Sequence, residues 1–139
     1  MTRNPPARII IETAAVSLRY YPGPKIVHHE LRRFTHGAEF RDVLEKGLEL
    51  LIQHRACKWL SDDRGNSPLT PEDADWAESE WAPRVLAAGW KFWAVVLPEK
   101  VTGQMNMRRK MALYADQGVI VQAFERPGAA LTWLERQKA

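Results

Sequence analysis

Residues 91–98, Lys91-Phe92-Trp93-Ala94-Val95-Val96-Leu97-Pro98, decide the fold. Six uncharged residues, Phe92 to Leu97, run unbroken between a lysine and a proline, and all but Ala94 and Leu97 are aromatic or β-branched. The run is too short for a helix and carries no helical stripe, so it reads as a strand covered on both faces. Covering both faces takes helix on each side, and amphipathic segments recur before and after the run.

Working back from Lys91, Thr70-Pro71-Glu72-Asp73 reads as a helix start, with Thr70 as N-cap, Pro71 at the first helical position and acids near the positive end of the dipole. That helix should carry Trp76, Trp81, Val85 and Leu86 inward and end at Gly89. Pro83 should kink or restart it, because a proline loses a hydrogen bond and crowds the preceding turn. Before it, the strand-like run Cys57-Lys58-Trp59-Leu60-Ser61 leads into the polar loop from Asp62 to Leu69. Earlier still, a helix from a Thr35 cap to about His54 carries Phe40, Val43, Leu44, Leu48, Leu51 and Ile52 on one face. Gly47 falls on that face, where it would let helix and sheet approach closely. Ile9 to Ile11 and the alternation through Ala14, Val16, Leu18 and Tyr20 are extended. A type II turn expected at Tyr21-Pro22-Gly23-Pro24-Lys25 joins them to Ile26–Arg33, making an antiparallel hairpin.

Beyond Pro98 the expectation is a loop from Glu99 to Gln104, then a helix from Met105 to about Ala115 with a basic cluster at Arg108, Arg109 and Lys110. A short buried strand at Val119–Phe124 and a closing helix from Pro127 follow. The whole describes an α/β domain: an N-terminal β-hairpin, then β/α units, giving a mixed, mostly parallel sheet of about five strands packed with about four helices. One domain is expected over residues 1–139, with 1–7 a flexible lead-in.

Composition narrows the function classes. The 20 basic residues are scattered among 17 acidic ones for a net charge of +3, which gives no basic stripe for nucleic acid. No apolar run approaches the roughly 18 residues of a membrane span, and no signal-peptide stretch opens the chain, so the expectation is a cytoplasmic protein. A single cysteine, Cys57, excludes an internal disulfide and reads as a small buried hydrophobe. No cofactor is expected, since G-x-G-x-x-G, G-x-x-x-x-G-K-[ST] and G-x-S-x-G are all missing. No metal is expected either: His28 and His29, being adjacent in a strand, point to opposite faces and lack an HxH, HExxH or CxxC partner. His36 and His54, which flank the first helix, are weaker candidates.

The residues left with chemistry to offer cluster after the second strand-like run. Asp62 and Asp63 stand at its C-terminal edge, where open α/β sheets place their ligands, although adjacent acids in such a loop also make an ordinary solvated turn. Ser61, Ser67 and Thr70 are hydroxyls near a helix N-terminus that would favour an added phosphate, and for Thr70 the capping role is sufficient by itself. Six tryptophans are a high count for the length. Most should be core, and Trp76, Trp81 and Trp93 are candidates to line an apolar pocket or a self-association patch. A homodimer through the hairpin edge is also plausible.

The order of hairpin, helix, Trp59-Leu60-Ser61-Asp62, a helix holding Trp76 and Glu80-Trp81-Ala82-Pro83-Arg84, Ala87-Ala88-Gly89, the strand ending Val95-Val96-Leu97-Pro98 and Ala130-Leu131-Thr132-Trp133-Leu134 resembles a group of small bacterial STAS-like proteins. STAS names the fold shared by sulfate-transporter tails and anti-sigma-factor antagonists. The resemblance implies a parallel β/α core without known catalysis. Better-known members exchange protein partners through a phosphorylated serine, and the matching region here, Ser61 to Thr70, lacks the Asp-Ser-Ser-Gly pattern and has a longer, proline-containing loop. The same broad fold is similar to lipid-transfer domains. Three readings follow: a non-enzymatic regulatory module binding a protein partner, a carrier of a small apolar, lipid-like ligand, and a small hydrolase or transferase using Asp62 or Asp63 with a histidine.

Overall fold

The computed structural model describes residues 6–65 and 69–138, and in it six strands form one sheet in the order in which they occur along the chain. β1 (Arg8–Glu12) pairs antiparallel with β2 (Val16–Tyr21), which pairs antiparallel with β3 (Ile26–Leu31). From β3 onward every pairing is parallel, through β4 (Lys58–Asp62), β5 (Phe92–Val96) and β6 (Ile120–Phe124). This is the mixed, mostly parallel α/β sheet expected, with six strands rather than five. The N-terminal extended run is not continuous: Thr13 Oγ1 accepts the backbone N–H groups of Ala15 (3.2 Å) and Val16 (3.0 Å), and this hydroxyl-held turn folds the run back on itself. In the next turn, where a type II turn on Pro22 and Gly23 was expected, the left-handed residue is Lys25 (φ 58°). Residues 1–5 of the expected lead-in lie outside the described residues.

Strand alternation sorts the side chains onto two faces. Val27, His29, Trp59, Ser61, Trp93 and Val95 share the first, and Ile26, His28, Leu60, Asp62, Ala94 and Val96 share the second. On the first face lie α1 (Gly37–His54) and a continuous helical stretch made of α2 (Pro71–Trp76), a π-helical turn (Ala77–Trp81) and α3 (Ala82–Ala87); α4 (Val101–Ala115) packs there too, beside β6. The second face is covered over β4 to β6 by α5 (Pro127–Arg136), whose Ala130 and Leu134 bury against Ile26, Leu60, Phe92, Ala94 and Val96. Every residue of β5 is buried, with a strand on either side and helix above and below, as its composition requires.

α1 meets the sheet through Gly47, where a Cβ would overlap the Trp59 ring. Ile52, expected on the buried face, is 61% exposed, because one residue past Leu51 is a rotation of about 100°. Thr35 does not cap this helix. Its hydroxyl donates to Arg33 O (2.9 Å), and the cap position is His36, which makes no side-chain bond there. The work falls to a residue far away in sequence: Asp73 of α2 accepts the Gly37 N–H at Oδ2 (2.8 Å) and Arg41 Nε at Oδ1 (3.1 Å). A carboxylate at the positive end of α1 satisfies an otherwise orphaned donor and ties the two helices together.

Pro83 has the effect expected of it, in a specific form. The Ala82 N–H bonds to Ala77 O, five residues back, so one widened turn precedes the proline and relieves its clash with the carbonyl of the preceding turn. α4 begins at Val101, four residues earlier than the sequence reading placed it. β6 is not buried: it is the sheet's edge, and Ile120 is 46% exposed. Cys57 lies just before β4 and is half-buried, with burial raising its thiol pKa.

Candidate functional site

A cavity of about 620 Å³ lies between the first face of the sheet and the helices above it, within the size range of small-molecule sites, about 300–1,000 Å³. Its floor comes from His29 and Leu31 of β3, Trp59 and Ser61 of β4, Asp63 just past β4, and Trp93 of β5, and of these Ser61 and Asp63 stand at the C-terminal end of β4, where an open parallel sheet places ligands. α1 contributes Phe40 and Leu44, the α2 and π-turn stretch contributes Ala74, Ala77, Glu78 and Trp81, and α4 contributes Gly103, Asn106, Met107, Lys110 and Tyr114. Gly103 presses on Pro98, so α4 can approach the end of β5 only because this position lacks a side chain.

The walls are largely aromatic and fixed. Trp59 and Trp81 meet edge to face at 5.4 Å between ring centroids, as do Trp90 and Trp93 at 5.3 Å, while Trp81 and Trp90 are tilted at 5.8 Å, and Tyr114 stands edge-on to both Trp90 and Trp93. Each indole N–H has an acceptor. Trp81 donates to Leu44 O (2.9 Å), Trp90 to Phe92 O (3.2 Å), Trp59 to His29 Nδ1 (2.9 Å) and Trp93 to Ser61 Oγ (2.8 Å). Anchored at ring and N–H alike, these indoles form a stiff apolar lining. Burial pushes the Tyr114 phenol pKa up to about 12, so the ring stays neutral.

Two of those bonds fix the chemistry of the floor. An indole N–H can only donate, so His29 Nδ1 must offer a lone pair and the imidazole proton sits on Nε2. That proton is donated to Asp63 Oδ1 at 2.9 Å, completing a buried chain from Trp59 through His29 to Asp63. Both imidazole nitrogens are therefore occupied, and His29 acts as a positioning residue that aims a carboxylate. Lys110 on α4 also lines the cavity; burial lowers its pKa, against the raising influence of Asp63 and Glu78.

The residues singled out in sequence separate in space. Ser61 and Asp63 share the first face and line the cavity, as do Trp81 and Trp93. Asp62 points to the second face, where it holds Arg64 through Nε (3.0 Å) and Nη2 (2.9 Å). Thr70 caps α2, its Oγ1 accepting the Asp73 N–H at 3.2 Å. Trp76 stays outside the cavity, edge-on to Phe40 and beneath the Arg41 guanidinium. Ser67 lies outside the described residues. His28 and His29 do point to opposite faces: His28 Nδ1 meets the Tyr21 hydroxyl at 3.0 Å, away from the cavity. Among the described residues no helix is long and apolar enough to cross a membrane.

Sequence reasoning did not associate Trp59, Trp90, Tyr114, His29 or Lys110 with a pocket. The available signal was parity. Trp59, Ser61 and Asp63 fall at i, i+2 and i+4 and so share a face, while Asp62 leaves it. Comparison of the chain with protein-family models, with curated proteins and with solved structures finds no match.

Proposed function

We propose that this protein is a non-enzymatic carrier of a small, predominantly apolar ligand held between the sheet and α4. The observation that carries this reading is the cavity of about 620 Å³ walled by four indoles whose N–H groups are already satisfied. Such walls offer contact area without asking the ligand for hydrogen bonds, which suits a hydrocarbon body. A partner-exchange role through Ser61 and Asp63 is less well supported, because both are buried, and Asp62 is engaged by Arg64. Acid–base chemistry by Asp63 with His29 is less well supported too, because neither ring nitrogen is free to meet a substrate.

The test is native mass spectrometry of protein purified from its own host. Retention of a lipid-sized mass, lost on organic extraction, is the expected result. Ala77→Phe, which pushes a ring into the cavity from the π turn, should abolish that retention while leaving the far-UV circular dichroism unchanged. A protein that neither retains such a mass nor enhances the fluorescence of an apolar dye would overturn the reading.

A further inference from the structure

Two polar groups on the cavity floor keep unused hydrogen-bonding capacity of opposite kinds. Ser61 Oγ accepts from Trp93 Nε1 with one of its two lone pairs and keeps its proton to give; among the described residues nothing accepts it. Asp63 takes the His29 proton on Oδ1, and Oδ2 accepts from no described residue. Their Cα atoms stand about 6.6 Å apart along the strand, more than the roughly 5.6 Å that two hydrogen bonds to one oxygen span, but Asp63 Oδ1 is held by His29, the residue paired with Ser61 across β3 and β4, which draws the carboxylate toward Ser61. The ladder continues far enough to hold Asp63 in line, since its backbone N–H reaches Val96 O at 3.3 Å.

A donor beside an acceptor calls for a ligand atom that is both. We infer that the head of the ligand is an un-ionised hydroxyl, accepting from Ser61 and donating to Asp63, and that the cavity selects a long-chain or polycyclic alcohol over the corresponding carboxylate. A carboxylate can accept from Ser61 but has nothing to give Asp63, and it would set two like charges side by side. Lys110 does not reverse this. Its charge and that of Arg109, which also lines the cavity, are matched by two acids, Asp63 and Glu78, so the lining has no surplus positive charge to hold an anion. This inference rests on the carrier reading.

The experiment is titration of the whole protein with dodecanol, its methyl ether and dodecanoate at neutral pH, followed by intrinsic tryptophan fluorescence. Alcohol and ether are both uncharged and differ chiefly in the O–H donor, so their ratio reads the bond to Asp63. Dodecanol should bind about tenfold tighter than the ether. Asp63→Asn presents a donor in place of the acceptor; it should erase the preference for alcohol over ether and raise the affinity for dodecanoate. Ser61→Ala should weaken alcohol and ether alike. Equal binding of alcohol and ether by the unaltered protein, or tighter binding of dodecanoate, overturns the inference while leaving the carrier reading intact. Failure of all three compounds to bind overturns the carrier reading itself. The comparison on unaltered protein decides the matter even where a substitution prevents folding.

Discussion

His28 shows how much a single buried group can govern. The residue is 7% exposed on the second face, with Nδ1 against the Tyr21 hydroxyl and Nε2 without a partner among the described residues. Burial, then the neighbouring His29 and Arg19, pull its pKa from 6.5 to about 4. The folded protein therefore resists a proton that the unfolded chain accepts. Stability is full above the unfolded value and is lost as pH falls from about 6.5 through about 4, by roughly 3 kcal/mol in all. Urea midpoints measured across that window should show the slope, and His28→Phe should flatten it. Asp73, whose pKa is lowered because bonds from Gly37, Arg41 and Thr70 outweigh the effect of burial, adds its own loss only below about pH 4, so the two effects separate. Gly47 makes the opposite point, since there an absent group matters. Gly47→Ala improves helix propensity by about 1 kcal/mol but drives a methyl into the Trp59 ring, and we expect a net loss of about 1–3 kcal/mol by urea denaturation. The Gly47 approach and the opposed histidines were legible from periodicity alone. The bond from His29 to Asp63 was not, because it depends on the register in which β3 and β4 pair across 34 positions of sequence.

Among the elements, α1 and α2 depend on each other through one carboxylate. Removing it by Asp73→Ala should strip the first turn of α1 of its acceptor and leave Arg41 unpaired, costing about 2 kcal/mol, with exchange of the Gly37 amide rising sharply. Thr70→Ala should cost only about 1 kcal/mol, since it removes the cap of α2 but leaves the Asp73 carboxylate bonded to Gly37 and Arg41. Local sequence announced the Thr70 cap because cap and acceptor lie within one turn. It misassigned the α1 cap to Thr35 because the true acceptor arrives from another helix, and no rule of spacing within a segment can reveal that. The same limit explains β6: its apolar run looks like a buried strand, and only the sheet order shows that nothing lies beyond it. Where α4 begins was misjudged by four residues because Gly103, read as a loop residue, is a contact point inside the helix.

Taken whole, the molecule has a solid side and a hollow side. α5 closes directly on the second face with small residues, Ala94 and Ala130, at the contact, whereas on the first face α1 touches the sheet at Gly47 and the helices beside that contact enclose the cavity. Alternation and amphipathicity announced the layers; the hollow was not legible, because a void is set by how far helices stand from a sheet rather than by which residues face it. An occupant of that hollow binds only the folded chain. At 100 times its dissociation constant it should add about 2.7 kcal/mol and raise Tm by several degrees, measurable by differential scanning calorimetry with dodecanol present. The sheet order has a consequence for how the protein is made. Each strand bonds only to the one before and the one after it in the chain, so a nascent polypeptide can extend its sheet as it leaves the ribosome, with no segment held in waiting for a distant partner. The last wall of the chamber to be synthesised is α4, after the floor is already in place. On ribosome-stalled chains ending before α4, amides of β2 to β5 should already be protected from exchange, and a chamber roofed last is one that can be filled before it shuts.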